Sequence, residues 1–299
     1  EALSVIAYGL DWQAGDNVVL AGQEFPSNRI VWESLARLGV EVRVVDLPDF
    51  QQPEAALIDA TDRRTRLLTS SSVHYASGLK MHLEPLGNHC RRKGILLCVD
   101  AIQSLGAFPF DVEAVQADFV VADGHKWMLG PEGLALFYCR PELLDSLKLH
   151  QYGWHMVEHA GDYDRTDWRP AADARRFECG SPNMLGIHAL HASLGLLQDI
   201  GIEHVSRNIV NNVSYLIEKS KELKGGTIQS PQDPNRRAGI FNIKFDGLDN
   251  AGLYRYLTRE SVVCAYRGGG IRFSPHYYST EAQLDKACGI LKRAISQTD

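Results

Sequence analysis

Between Ile95 and Arg140 the chain carries two short apolar runs, and each stops abruptly at charged residues. The first, Ile95 to Val99, is followed by Asp100 and then by Gln103; the second, Phe119 to Ala122, is followed by Asp123-Gly124-His125-Lys126. Both runs are rich in Val, Leu and Phe and are bounded by turn residues, the pattern of strands buried on both faces. Along the chain such strand-like runs alternate with helix-like segments, which points to a mainly parallel sheet covered on both faces. In sheets of that kind ligands collect beyond the carboxyl ends of the strands, so Asp100 and Lys126 are expected to face one ligand.

Taken singly, a strand-end Asp is ordinarily a cap or turn residue and a Lys ordinarily a solvated charge. The joint pattern is harder to dismiss, because an amine beside a buried strand has to be paired or neutralised. The pair suits pyridoxal phosphate. That cofactor needs a lysine amine for a Schiff base and a carboxylate that keeps its ring nitrogen protonated and the ring an electron sink.

The segments VDAIQSLGAFPFDV and ADGHKWMLGPEGLALFY resemble the class V aminotransferase superfamily of fold-type I pyridoxal phosphate enzymes. That group includes cysteine desulfurases, selenocysteine lyases, kynureninase and isopenicillin N epimerase. The resemblance extends through EFPSN, RFECGSPN and GGGIRFSPHYYSTEAQLD, over essentially the whole chain. It implies a large cofactor-binding domain with a mainly parallel sheet, residues 1–224, and a small C-terminal α+β domain, residues 225–299. It also implies roles for individual residues. Lys126 is the Schiff-base lysine and Asp100 the partner of the ring nitrogen. Gln103 bonds the phenolic oxygen of the cofactor, Ile102 packs under the ring, and His125 contacts the phosphate or orients the ring. Phe25 falls where relatives stack an aromatic or a His on the ring; desulfurases usually carry His, and Phe cannot transfer a proton. His74 and Tyr75 line the pocket near the cofactor hydroxyl and the substrate. Arg272 grips an α-carboxylate, a task suited to the guanidinium fork. Ser181, otherwise readable as a helix N-cap, reaches the phosphate of a neighbouring subunit, which implies a homodimer with a shared site. Asp123 stands where many relatives carry Ser, and its carboxylate would repel a phosphate unless it points away.

The length, 299 residues, fits one large and one small domain. A net charge of −6 leaves no basic field for nucleic acid or an anionic membrane, and there is no apolar run of the ~20 residues that a spanning helix needs. The six cysteines are scattered without CxxC spacing, several in apolar runs, and read as reduced core residues of a cytoplasmic protein. Between Leu149 and Asp173 the chain is rich in Gly, His and Trp and has no clear periodicity. His150, His155 and His159 lie there without Cys or acidic partners at a ligand spacing, so no metal is expected. The opening segment, EALSVIAYGLDWQAGD, has helical spacing but no capping residue before Glu1. In the family this helix receives the cofactor phosphate at its N-terminus. The small hydroxyl residues that usually precede it are absent, so the sequence is expected to be a piece of a longer one, with phosphate binding impaired in the piece.

Further strands are predicted at residues 17–21, 40–47, 66–71 and 133–139, and helices at residues 28–38, 83–93, from 183 to about 199, and 202–223. The small domain is predicted to hold strands at residues 239–245, 262–266 and 271–274 and helices at residues 250–260 and 280–295. The glycines Gly268 to Gly270 are no dinucleotide fingerprint, because no helix of a βαβ unit follows them.

The chemistry implied is that an amino acid displaces Lys126 from the cofactor, Arg272 holds its carboxylate, and the freed amine moves protons at Cα and at the cofactor's C4′. Transamination, β-elimination with C–S lysis, and epimerisation all stay open. A desulfurase needs a cysteine on a mobile loop before the carboxylate-binding Arg. Here the only candidate is Cys264, inside a predicted strand, and the short connection most resembles the isopenicillin N epimerase-like members. A non-catalytic protein that keeps the fold is the competing reading: the missing phosphate turn favours it, and Lys126, Asp100, Gln103 and Arg272 oppose it.

Overall fold

The computed structural model describes residues 1–47 and 51–297. Its contacts divide into two units: Glu1–Ser72, His82–Ile102 and Phe110–Gly195 form the first, and Val73–Met81, Gln103–Pro109 and the chain from Leu196 form the second.

The first unit contains α1 (Ala2–Gly9), β1 (Asn17–Ala21), α2 (Ser27–Glu33), β2 (Glu41–Val45), α3 (Pro53–Asp59), β3 (Thr65–Ser71), α4 (Leu83–Lys93), β4 (Leu96–Asp100), α5 (Val112–Val115), β5 (Phe119–Asp123) and β6 (Ala135–Cys139). The six strands form one sheet in the order β2-β1-β3-β4-β5-β6. Neighbouring strands from β2 to β5 run parallel, and β6 is antiparallel to β5 at the edge. The burial follows from the sequence. β1 is buried along its whole length and β3 everywhere except Arg66, while the edge strand β2, which carries Glu41 and Arg43, is partly exposed. Ile6, Val18, Leu20, Trp32, Leu35, Leu67, Cys98 and Phe119 pack as a core of this unit.

α4 shows why a sequence-level boundary can hold. Glu84 lies in its first turn, Arg91, Arg92 and Lys93 lie in its last, and Gly94 ends it at φ 68°, which matches the macrodipole and the left-handed C-cap. Elsewhere the structure departs from the prediction. The helix expected from residue 28 to 38 is interrupted: α2 stops at Glu33, and a 3-10 helix, Ser34–Leu38, continues to Gly39. The strand expected over residues 40–47 shortens to β2, because β1 offers only five partners, from Asn17↔Glu41 to Ala21↔Val45.

α6 (Met184–Ile200) carries the chain from the first unit to the second. Its N-terminus corrects the expected cap. Asn183 Oδ1 accepts from Gly186 N at 3.0 Å, the Ncap-to-N3 bond of a capped helix, and exposed Ser181 is left two residues upstream because Pro182 and Asn183 intervene.

The second unit contains α7 (Ile202–Ser220), β7 (Gly226–Ile228), β8 (Phe241–Phe245), α8 (Asn250–Arg259), β9 (Ala265–Arg267), β10 (Gly270–Phe273) and α9 (Glu281–Ser296). Its sheet has the order β7-β8-β10-β9, and each neighbouring pair is antiparallel. In β8 Phe241, Ile243 and Phe245 are buried alongside Val213, Leu257, Ile271 and Leu291, and the intervening Asn242 is buried as well. Gly268 and Gly269, at φ 58° and 77°, form the two-residue turn between β9 and β10, a geometry that needs the left-handed region at both positions. The strand expected over residues 262–266 begins late. Val262 N bonds back to Leu257 O at the end of α8, so Cys264 lies just outside β9 rather than within it. α9 opens with a capping box between Thr280 and Gln283. Among the described residues no helix is long and apolar enough to cross a membrane.

Candidate active site

In the first unit the candidate residues Asp100 and Lys126 lie at and beyond the carboxyl ends of β4 and β5. Asp100 is the last residue of β4, pairs in register with Val121, and is only 7% exposed. Its Oδ1 accepts from Ile102 N at 3.0 Å, and among the described residues the carboxylate takes no other hydrogen bond. Burial pushes the Asp100 carboxyl up to about 6; the Ile102 N–H opposes the rise, the nearby Glu24 adds to it, and the Lys126 charge opposes it.

Lys126 follows β5 in a turn closed by Gly130 N donating to Gly124 O at 2.8 Å and Leu129 N donating to Lys126 O at 3.0 Å. Trp127 and Met128 are buried and anchor that turn. The Lys126 Nζ sits 5.8 Å from the centroid of the Phe25 ring, within cation–π range. Phe25 itself is 40% exposed at the mouth of the turn between β1 and α2. Asp123 Oδ1 lies 2.7 Å from His125 Nδ1, so the carboxylate that stood out in the sequence is directed at the neighbouring imidazole.

Behind Phe25 lies a buried polar cluster that the sequence reading passed over. Glu24, 5% exposed, accepts from Ser71 N at 2.7 Å through Oε1 and from Asn28 Nδ2 at 3.0 Å through Oε2, which also meets Ser71 Oγ. Burial raises the Glu24 carboxyl, and the Ser71 and Asn28 bonds oppose the rise. The available signal was the polar end of an otherwise apolar strand, Thr69-Ser70-Ser71, together with the Glu and Asn of EFPSN.

His74, Gln103 and Arg272 belong to the second unit. His74 and Gln103 are buried. Arg272, on β10, donates from Nη1 to Tyr75 O at 2.6 Å, which brings it to the segment that carries His74. Its Nε has no hydrogen-bond partner among the described residues. Burial lowers the Arg272 guanidinium pKa, Arg267 lowers it further and Tyr75 opposes. Ser181 stays exposed, on the segment before α6.

The aminotransferase class V family matches residues 1–286. A probable cysteine desulfurase of Methanothermobacter thermautotrophicus is 30% identical, over 95% of this chain and 74% of its own. An uncharacterised aminotransferase of Bacillus subtilis is 31% identical, over 96% of this chain and 75% of its own. Among solved structures, the apo cysteine desulfurase of Thermococcus onnurineus superposes with a TM-score of 0.90 at 23% identity, over 99% of this chain and 77% of that one. The cystine C–S lyase C-DES superposes with a TM-score of 0.89 at 23% identity, over 97% of this chain and 78% of that one; at that identity the two structures speak for the fold. The chain belongs to the aminotransferase class V family and is a pyridoxal phosphate-dependent transferase or lyase that acts on an amino acid.

Proposed function

We propose that Lys126 is the residue that holds the cofactor covalently and that the enzyme breaks a bond at the α- or β-carbon of its amino acid by transamination, C–S lysis or epimerisation. What carries this is the juxtaposition of a buried carboxylate, Asp100, at the end of β4 with an amine, Lys126, in the turn after β5. The residues fit the cofactor on a physical test: a buried carboxylate with one hydrogen bond needs a further donor, and a protonated ring nitrogen is one. When bound, pyridoxal phosphate supplies an aldehyde that condenses with amines and a ring that withdraws electrons from the bonds at Cα. Asp100 holds the proton on the ring nitrogen. Phe25 gives the ring an apolar face, with Ile102 and Gln103 as further contacts. Lys126 takes and returns the proton at Cα, for which its amine must be neutral. His125, oriented by Asp123, is assigned to the cofactor phosphate or ring edge. Arg272 is assigned to the substrate carboxylate, supported by its orphaned Nε, and His74, next in sequence to the Tyr75 whose carbonyl Arg272 bonds, is assigned to the substrate as well.

Sulfur transfer to an enzyme thiol is the second reading, and the desulfurase relative favours it. Cys264 speaks against it: burial pushes its thiol up to about 11, so at neutral pH it is a poor nucleophile. It also enters a hairpin whose turn is only two residues long.

A homodimer is part of the same proposal. Tyr152, Trp154, Tyr163, Trp168 and Leu185 all lie exposed in the first unit, an unusual concentration of large apolar surface for a monomer. Ser181, on the segment that leads to Leu185, is assigned to the phosphate of the partner's cofactor.

The test is the visible spectrum of the protein with pyridoxal phosphate, for wild type and Lys126→Ala, before and after a panel of amino acids. The expected outcome is a band that requires Lys126 and shifts with a subset of the panel; product assays for sulfide, keto acid and inverted amino acid then separate the chemistries. A band of the same intensity in Lys126→Ala would refute the assignment, and alanine with enzyme-bound persulfide from cysteine would favour the second reading.

A further inference from the structure

Glu24 is ionisable, buried and remote from any role assigned above, yet it directly precedes the aromatic residue beside Lys126. Its surroundings fix its orientation atom by atom. The Trp32 indole N–H, which can only donate, bonds Asn28 Oδ1 at 3.0 Å, and Thr69 Oγ1 donates to the same oxygen at 2.8 Å. The Asn28 amide is thereby prevented from flipping, so its Nδ2 faces Glu24 and Oε2 must accept. Ser71 N–H, again a donor only, bonds Oε1, so that oxygen must accept as well. Ser71 is the last residue of β3 and pairs in register with Asp100. One side chain therefore ties the turn after β1 to the end of the strand that neighbours Asp100, while the next residue, Phe25, projects outward to Lys126.

We infer that Glu24 is a positioning residue: by binding Ser71 and Asn28 it fixes the turn that holds the Phe25 ring over Lys126, and so fixes the tilt of the cofactor ring stacked there. This rests on the cofactor assignment of Lys126 and Phe25. A Gln cannot replace it, because an amide nitrogen at either oxygen position would meet an N–H that is already committed to donating.

The experiment compares visible circular dichroism per bound pyridoxal phosphate, with cofactor occupancy measured separately, in wild type, Glu24→Gln, Phe25→Ala, the double variant, Ser71→Ala and Lys126→Ala. A fixed, chiral ring environment gives induced ellipticity, and a loosened one loses it. Glu24→Gln and Phe25→Ala are each expected to lower it by about threefold or more, the double variant no further than Phe25→Ala alone, and Ser71→Ala by a smaller factor, since residues that act through one another are not additive. A lower melting temperature with unchanged ellipticity per bound cofactor would make Glu24 merely structural and overturn the inference. If Glu24→Gln does not fold, Ser71→Ala decides, and wild-type ellipticity in it overturns the inference. A wild-type band that does not need Lys126 would sink the cofactor assignment and this inference with it, whereas a band that needs Lys126 but ignores Glu24 would sink the inference alone.

Discussion

Asp100 combines two demands that conflict until a cofactor arrives. As a buried carboxyl it is raised from the ordinary 3.8 to about 6, so burial penalises its charged form, whereas the role proposed for it beside a cofactor ring nitrogen needs that form. A carboxyl whose folded-state value lies above its unfolded one stabilises the fold below the unfolded value and loses that contribution as pH rises through the folded value. For Asp100 the loss falls between 3.8 and about 6, and above that range the ionised group costs the cofactor-free protein about 3 kcal/mol. Asp100→Asn should therefore stabilise the cofactor-free protein at about pH 8 and lose that advantage by about pH 4, as measured by urea denaturation. On the proposed role for Asp100 the same variant should lose most of its activity, because an amide would not keep a ring nitrogen protonated. A stability difference that does not change with pH would show that burial is not what raises this group. At this scale the sequence was informative where a residue type is chemically scarce, as with Lys126 after a buried strand, and silent where the residue is ordinary. Glu24 was legible only as one letter of EFPSN, since nothing in its spacing announces that Ser71, 47 positions on, supplies its donor.

Helices and strands were legible wherever several local signals agreed. α4 and α9 have apolar spacing, charges matched to the dipole and one definite cap each, Gly94 after α4 and the Thr280 capping box before α9. At α6 the expected cap was Ser181, and the geometry uses Asn183 instead, on the helix side of Pro182. β9 was misjudged for a related reason: Val262 and Val263 have strand propensity, but Val262 is used by the end of α8. A tertiary constraint on an element also explains Gly87. A Cβ there would meet Val115 O at 1.8 Å, so α4 can approach α5 only because residue 87 has no side chain. Gly87→Ala should destabilise the protein by about 3 kcal/mol or more, since relief requires the backbone of α5 to move. Chemical denaturation would show it, and a change under about 0.5 kcal/mol, the level of an ordinary surface substitution, would mean that α5 yields easily.

At the scale of the molecule, the described residues pack one apolar core around the parallel sheet and another around the antiparallel sheet. The chain visits the second unit twice, through Val73–Met81 and Gln103–Pro109, before it enters it for good at Leu196. The proposed homodimer makes its own prediction. Leu185, 84% exposed, and Tyr163, 77% exposed, should be buried by the partner. Placing Arg at both should weaken the dimer by at least about tenfold, or 1.4 kcal/mol. Sedimentation velocity across a dilution series tests this, and a wild type that sediments as a monomer throughout would refute it.

The sequence by itself determined the strands of the parallel sheet, the placement of Asp100 and Lys126 at their carboxyl ends, and the family, because strand periodicity and strand-end chemistry are written in consecutive residues. Only the tertiary structure decided which polar groups meet. Glu24 and Ser71, and Arg272 and Tyr75, are polar pairs separated along the chain by 47 and 197 positions, and the close approach of Gly87 to Val115 spans 28; no local pattern specifies a contact whose partners are chosen by the packing of whole elements.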